Sequence, residues 1–224
     1  MLAIVSLAFA GPNLLPGADP VAAGAGDAHV GVFALGAVAA GSCSGPDDCS
    51  GPILGVFAGP VLSGRVGLTD RVAAQGAAAG VATPDFSAGY VGGALAVRAL
   101  VVDGARVRVA PWIAGMGAGF VDLYAGTGGI ALDVGGDRVR FDLSVPVVAL
   151  AYDGRDVGVT AGSLLASEVG FAWMLGRGHA VRVGMWSLAP GLAWSWAGDR
   201  WTADVAVHSL GLLTLGQARL GVRF

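Results

Sequence analysis

Between Arg138 and Ala151 the chain sorts its side chains into two sets with a period of two. Arg138, Arg140, Asp142 and Ser144 form one set; Val139, Phe141, Leu143, Val145 and Val147 form the other. Successive residues of a β-strand point to opposite faces, so a strand separates the sets. A helix with its period of about 3.6 would mix arginines with valines. One face is charged and the other aliphatic, so such a strand belongs at a boundary between a polar and an apolar medium.

The same sorting recurs along the chain. Val91, Leu95, Val97 and Val101 oppose Arg98, and Val107, Val109 and Ile113 oppose Arg106 and Arg108. Leu165, Val169, Phe171, Trp173 and Leu175 oppose Glu168. Trp201, Ala203, Val205 and Val207 oppose Arg200, Thr202, Asp204 and His208, and in the last segment Leu220, Val222 and Phe224 oppose Gln217, Arg219 and Arg223.

Which medium the apolar face meets follows from composition. Apolar residues make up 54% and charged residues 13%, against about 25% charged in an ordinary soluble domain. So few charges leave a water-facing surface poorly covered. The glycines and prolines interrupt every apolar stretch well before the roughly 18 residues that a membrane-spanning helix requires. In lipid, helices and closed sheets are the structures that satisfy every backbone group, and the closed sheet is the one left. The fold class read here is all-β: a closed, antiparallel, up-and-down transmembrane β-barrel. A soluble β-sandwich or lipocalin-like barrel is the rival, and it requires the reverse orientation, with the apolar set inside and the arginines outside. All basic residues are Arg, all acids but Glu168 are Asp, and the net charge is −3 with no basic run. Nucleic acid is therefore excluded as a partner.

Strands are expected at about 28–40, 53–67, 71–82, 88–102, 105–120, 136–152, 163–176, 180–197, 199–208 and 214–224, which makes ten. Eight or twelve remain alternatives, because Ile130–Val134 fits an extra hairpin with Arg138–Leu143 and Trp201–Phe224 fits one long strand. Short turn sequences at Leu68-Thr69-Asp70, Asp103-Gly104, Gly176-Arg177-Gly178 and Gly198-Asp199 separate the segments. Short turns face the periplasm in such barrels. The longer outer loops are expected at Ala39–Pro52, Thr83–Ser87, Val121–Gly136 and Ser209–Thr214. Pro60, Pro111, Pro146 and Pro190 fall inside expected strands and mark bulges or strand ends. The six tryptophans lie near expected strands and suit either an interfacial girdle or a packed interior.

Met1–Ala10 is apolar and ends in Ala8-Phe9-Ala10 before Gly11, the small-x-small pattern of a signal-peptidase site. No Arg or Lys precedes the apolar run, so an ordinary N-terminal strand remains open. The expected division is a signal peptide at 1–10, an N-terminal periplasmic segment at 11–27 and the barrel at 28–224.

Gln217–Phe224 alternates polar with apolar residues and ends in Phe. It resembles the C-terminal strand of small bacterial outer-membrane β-barrel proteins, although Val222 stands where an aromatic residue is common. The resemblance implies residence in the outer membrane, contact with its lipid, and recognition of Leu220, Val222 and Phe224 by the barrel-assembly machinery.

In that orientation Arg65, Arg98, Arg106, Arg108, Arg138, Arg140, Arg182, Arg219 and Arg223 point into the lumen with Asp142, Glu168, Asp204 and His208. Buried arginine requires acceptors, and arginines outnumber the acids of this set. The expectation is an Arg-rich lumen holding water or admitting a small anionic solute, in a structural barrel or a passive pore. Two other functions compete: a surface-binding or adhesion barrel acting through its outer loops, and a lipid-modifying enzyme. No catalytic constellation supports the enzyme. His208 and Ser209 are strand neighbours facing opposite ways, and no G-x-S-x-G phrase occurs. Cys43 and Cys49 are expected to form a disulfide closing an outer loop. A metal site joining them to Asp47 and Asp48 is disfavoured, since thiolate with carboxylate and no nearby His is an unusual ligand set. No cofactor or metal is implied.

Overall fold

The computed structural model describes residues 18, 21–39, 53–82, 89–118, 123–152, 157–161, 167–186, 189–210 and 213–224. The expected leader and the Cys43–Cys49 pair lie outside these residues.

The described strands are β1 (Gly26–Ala39), β2 (Ile53–Gly67), β3 (Val72–Ala82), β4 (Gly89–Ala99), β5 (Val102–Asp103), β6 (Val107–Ala118), β7 (Leu123–Gly135), β8 (Val139–Tyr152), β9 (Val157–Ala161), β10 (Glu168–Gly176), β11 (His179–Trp186), β12 (Ala189–Ala197), β13 (Trp201–Leu210) and β14 (Leu213–Arg223). Each pairs antiparallel with its neighbours, and β14 returns to β1 over the register Asp27↔Arg223 to Ala37↔Leu213. β8 completes the ring by pairing with β10 along Val139–Ser144 and with β9 along Val148–Tyr152. β9 and β10 thus share one position in the wall, and the two-residue β5 is a short addition beside β6. Twelve strand positions make the closed barrel.

Twelve, one of the two alternatives to the expected ten, includes the hairpin of Ile130–Val134 with β8, and ten falls short for two local reasons. β7 begins Leu123-Tyr124-Ala125-Gly126-Thr127-Gly128-Gly129, whose glycines hide the alternation, and it occupies most of the expected loop Val121–Gly136. β11 and β12 are separate strands where one strand at 180–197 was expected, because the two residues between Trp186 and Ala189 carry no Gly, Asn or Asp. β13 and β14 are likewise distinct, and Ser209 and Thr214 belong to strands rather than to a loop.

Burial fixes the orientation of the wall. Val30, Val32, Leu62, Leu95, Ile113, Val183, Leu192, Val205, Val207 and Leu220 are exposed on the outside, while Asp27, Arg98, Asp133, Glu168, Asp204, His208 and Arg219 are buried inside. A water-soluble barrel has the opposite arrangement, and an apolar belt around a polar interior fits a wall embedded in lipid. The short connections after β2, β5, β7, β10 and β12 lie at one end with Gly26 and Phe224, which exchange backbone hydrogen bonds of 2.9 and 3.1 Å. This is the periplasmic end by the short-turn rule. At the first turn, Thr69 Oγ1 accepts from the amides of Arg71 and Val72 at 3.2 and 3.0 Å.

On the outer wall Phe141 and Phe171 pack at 5.1 Å, Phe171 and Trp173 at 6.5 Å, and His179 lies 5.7 Å from Trp194 and 6.5 Å from Trp196. With Trp201 they form an aromatic band from β8 to β13 near the periplasmic rim, where amphipathic rings meet lipid headgroups. Trp112 and Trp186 instead face inward and are buried.

Candidate functional site

The interior has two levels. The level nearer the periplasmic end is charged and surrounds a cavity of about 310 Å³. Towards the other end the lumen narrows on its own side chains. There Phe33, Leu35, Val61, Ala79 and Leu215 form an apolar cluster; a second, of Trp112 with Leu100, Ala110, Ala131 and Ala18 from the segment before β1, lies nearer the periplasmic end, beside Arg98. Trp186 meets His208 edge-on at 4.5 Å.

Missing side chains make room for these large ones. Gly170, Gly184 and Gly191 lie side by side across β10, β11 and β12. A Cβ on Gly170 would come within 2.7 Å of Arg182, and one on Gly191 within 2.6 Å of His208 and 2.8 Å of Trp186. A Cβ on Gly129 would meet the Trp112 ring at 2.5 Å.

In the charged level arginine meets carboxylate repeatedly. Arg65 Nε donates to Asp27 at 2.6 Å. Arg219 Nε donates to Asp204 at 2.8 Å, and its Nη1 donates to Ser63 Oγ at 3.1 Å. Arg182 grips Asp142 with Nε, at 3.0 Å, and with Nη2, while its guanidinium lies 5.1 Å from the centre of the Trp186 ring. Asp133 accepts from Arg108 at 3.4 Å and lies 3.7 Å from Arg140. His29 stands between Asp27, 3.5 Å from Nδ1, and Thr202, whose Oγ1 is 2.8 Å from Nε2.

Of the residues singled out in the sequence, Arg65, Arg98, Arg140, Asp142, Glu168, Arg182, Asp204, Arg219 and Arg223 line this cavity. Arg108 lies beside it, bridging Asp103 and Asp133. His208 sits in the narrowed level, with no hydrogen-bond partner for either ring nitrogen among the described residues. Arg106 and Arg138 are exposed in the turns before β6 and β8, two residues ahead of Arg108 and Arg140. Leu220, Val222 and Phe224 are exposed on the lipid side of β14.

Sequence reasoning missed Asp27, His29 and Asp133. Asp27 and His29 oppose Val30 and Val32, but Phe33 and Leu35 continue their inward face and blur the contrast. Asp133 lies in the glycine-rich stretch read as a loop. Their absence inflated the expected Arg excess: six arginines line the cavity (Arg65, Arg98, Arg140, Arg182, Arg219, Arg223) against five acids (Asp27, Asp133, Asp142, Glu168, Asp204).

Solved structures of similar shape include a porin and an outer membrane channel. A KdgM porin in complex with disordered oligogalacturonate aligns with a TM-score of 0.60 at 7% identity, covering 89% of this chain and 99% of that one. The COG4313 outer membrane channel from Pseudomonas putida F1 aligns at 0.61 with 10% identity, covering 91% and 97%. No family model matches the chain, and no curated protein matches it in sequence. The closed antiparallel ring, its apolar exterior and these likenesses define an outer-membrane β-barrel of porin-like fold. Its place is the bacterial outer membrane.

Proposed function

We propose that this barrel is a narrow passive pore for small polar solutes, with a bias towards anions. The observation that carries the reading is the cavity of about 310 Å³, lined by arginines and acids, inside a wall whose exterior is apolar. The anion bias rests on the small excess of arginine in the cavity and on the exposed arginines of the periplasmic turns. The KdgM porin of similar fold is in complex with oligogalacturonate, an acidic sugar polymer, which is in keeping with that bias. In the same reading Leu220, Val222 and Phe224 are the strand offered to the assembly machinery.

The test is conductance of the purified barrel in planar bilayers, with permeation of glucuronate and glucose compared by liposome swelling. Ohmic steps with modest anion selectivity, and faster uptake of glucuronate than its size predicts, are expected. A silent barrel would leave a structural role in the envelope, in which the narrowed level with Trp186 and the Phe33 cluster is a permanent plug. Cation selectivity would remove the anion bias.

A further inference from the structure

Every described turn at the periplasmic end carries an arginine: Arg71, Arg106, Arg138, Arg177 and Arg200, each exposed. Two of them converge on one groove. Arg177 comes from the β10–β11 turn and Arg200 from the β12–β13 turn, and with Trp196, Trp201, Gly198 and Asp199 they line a groove of about 520 Å³. Neither arginine has an ion-pair or side-chain hydrogen-bond partner among the described residues.

The groove lies at the rim edge of the aromatic band. Trp201 is 54% exposed beside outward-facing Val205 and Val207, so it marks the lipid side of the wall. The Trp196 ring covers Gly198, where a Cβ would come within 2.9 Å of it. Indoles at this depth meet the boundary between acyl chain and headgroup, and guanidinium groups just beyond it lie at the level of lipid phosphates.

Arg177 supplies a second, independent observation. It alone among the described non-glycine residues has a positive φ, +53°, next to Gly178 at +80°. A two-residue hairpin loop with both central φ angles positive favours Asn or Gly, because a longer side chain is strained there. An arginine held in that conformation, without a partner, points to a role for its charge rather than for the turn.

We propose that this groove binds the phosphodiester headgroup of a phospholipid in the periplasmic leaflet. Arg177 and Arg200 donate to the phosphate oxygens, Trp196 and Trp201 pack against the glycerol and upper acyl chain, and Asp199 accepts from the ammonium of an aminophospholipid. Guanidinium is suited to phosphate because its planar fork donates charge-assisted hydrogen bonds.

Native mass spectrometry of the barrel in detergent with palmitoyl-oleoyl phosphatidylethanolamine, with or without millimolar inorganic phosphate, tests this. The wild type is expected to retain the lipid, and Arg177→Gln/Arg200→Gln to lose it by roughly tenfold or more. Arg71→Gln/Arg106→Gln, which removes the same charge from other turns, is expected to retain it. Arg177→Gly relaxes the turn, so it is expected to fold at least as well as wild type, by heat-modifiable gel migration, and still to bind less lipid. Equal loss in both double variants would mean a diffuse ring of charge and overturn the site. Displacement of the lipid by inorganic phosphate alone would also overturn it, since the groove would then recognise the free ion.

Discussion

His29 Nε2 and Thr202 Oγ1 lie 2.8 Å apart although their strands do not pair with each other. They meet over β14, where both are in register with Gly221. A Cβ at Gly221 would strike the His29 ring and come within 2.7 Å of Thr202 Oγ1 and of the Ala28 carbonyl oxygen. Gly221→Ala is therefore expected to destabilise the barrel by about 1–3 kcal/mol, read from urea unfolding in lipid vesicles. Adding His29→Ala should restore only part of this, because the Ala28 contact remains. Full stability in the single variant would sink this account of the seam.

Arg219 and Asp204 pair directly across β13 and β14, with the two side chains 4% and 10% exposed. Removing one partner of a buried pair leaves an uncompensated charge, so Asp204→Leu or Arg219→Leu should each lose about 3 kcal/mol. Asp204→Leu/Arg219→Leu should lie closer to wild type than the two single losses added together. Strict additivity in that double-mutant cycle would show that cavity water, rather than the partner, carries each charge.

Ile113 is 68% exposed in the middle of β6, on the belt read as facing lipid. Ile113→Arg is expected to cost about 2–4 kcal/mol in a bilayer, reducing the heat-modifiable folded band after refolding into vesicles. Arginine tolerated there without loss would place the residue in water and contradict the membrane orientation.

Trp186 is 1% exposed and stands where the lumen narrows. Trp186→Ala should raise single-channel conductance several-fold while lowering stability by about 3 kcal/mol. Unchanged conductance would put the narrowest point elsewhere, with Trp112 or the Phe33 cluster next to be truncated.

The sequence was most legible where the two faces differ most. β8 and β13 alternate charge with Val, Phe or Trp, and Arg140, Asp142, Ser144, Asp204 and His208 lie on the inward face that the alternation gives them, while Arg138 and Arg200 fall in the turns. The pattern faded where glycine replaced a side chain, as in the first half of β7, or where the inward face itself was apolar, as at Phe33 and Leu35. Composition left Trp112 and Trp186 open between a girdle and a packed interior, although parity with Arg108 and with Arg182 puts both on the inward face. The pairing of Arg182 with Asp142, or of Arg65 with Asp27, depends on which strands are adjacent, and that needed the correct strand number.

The interleaving of Arg and Asp with aliphatic residues also bears on how such a chain leaves the cytoplasm. The apolar belt is assembled from alternate residues of twelve strand positions, so no continuous segment resembles a helix that the inner membrane would retain. Its affinity for lipid appears only once neighbouring strands have paired. The inward arginines that line the finished lumen thus serve during export as internal passes through the wrong membrane.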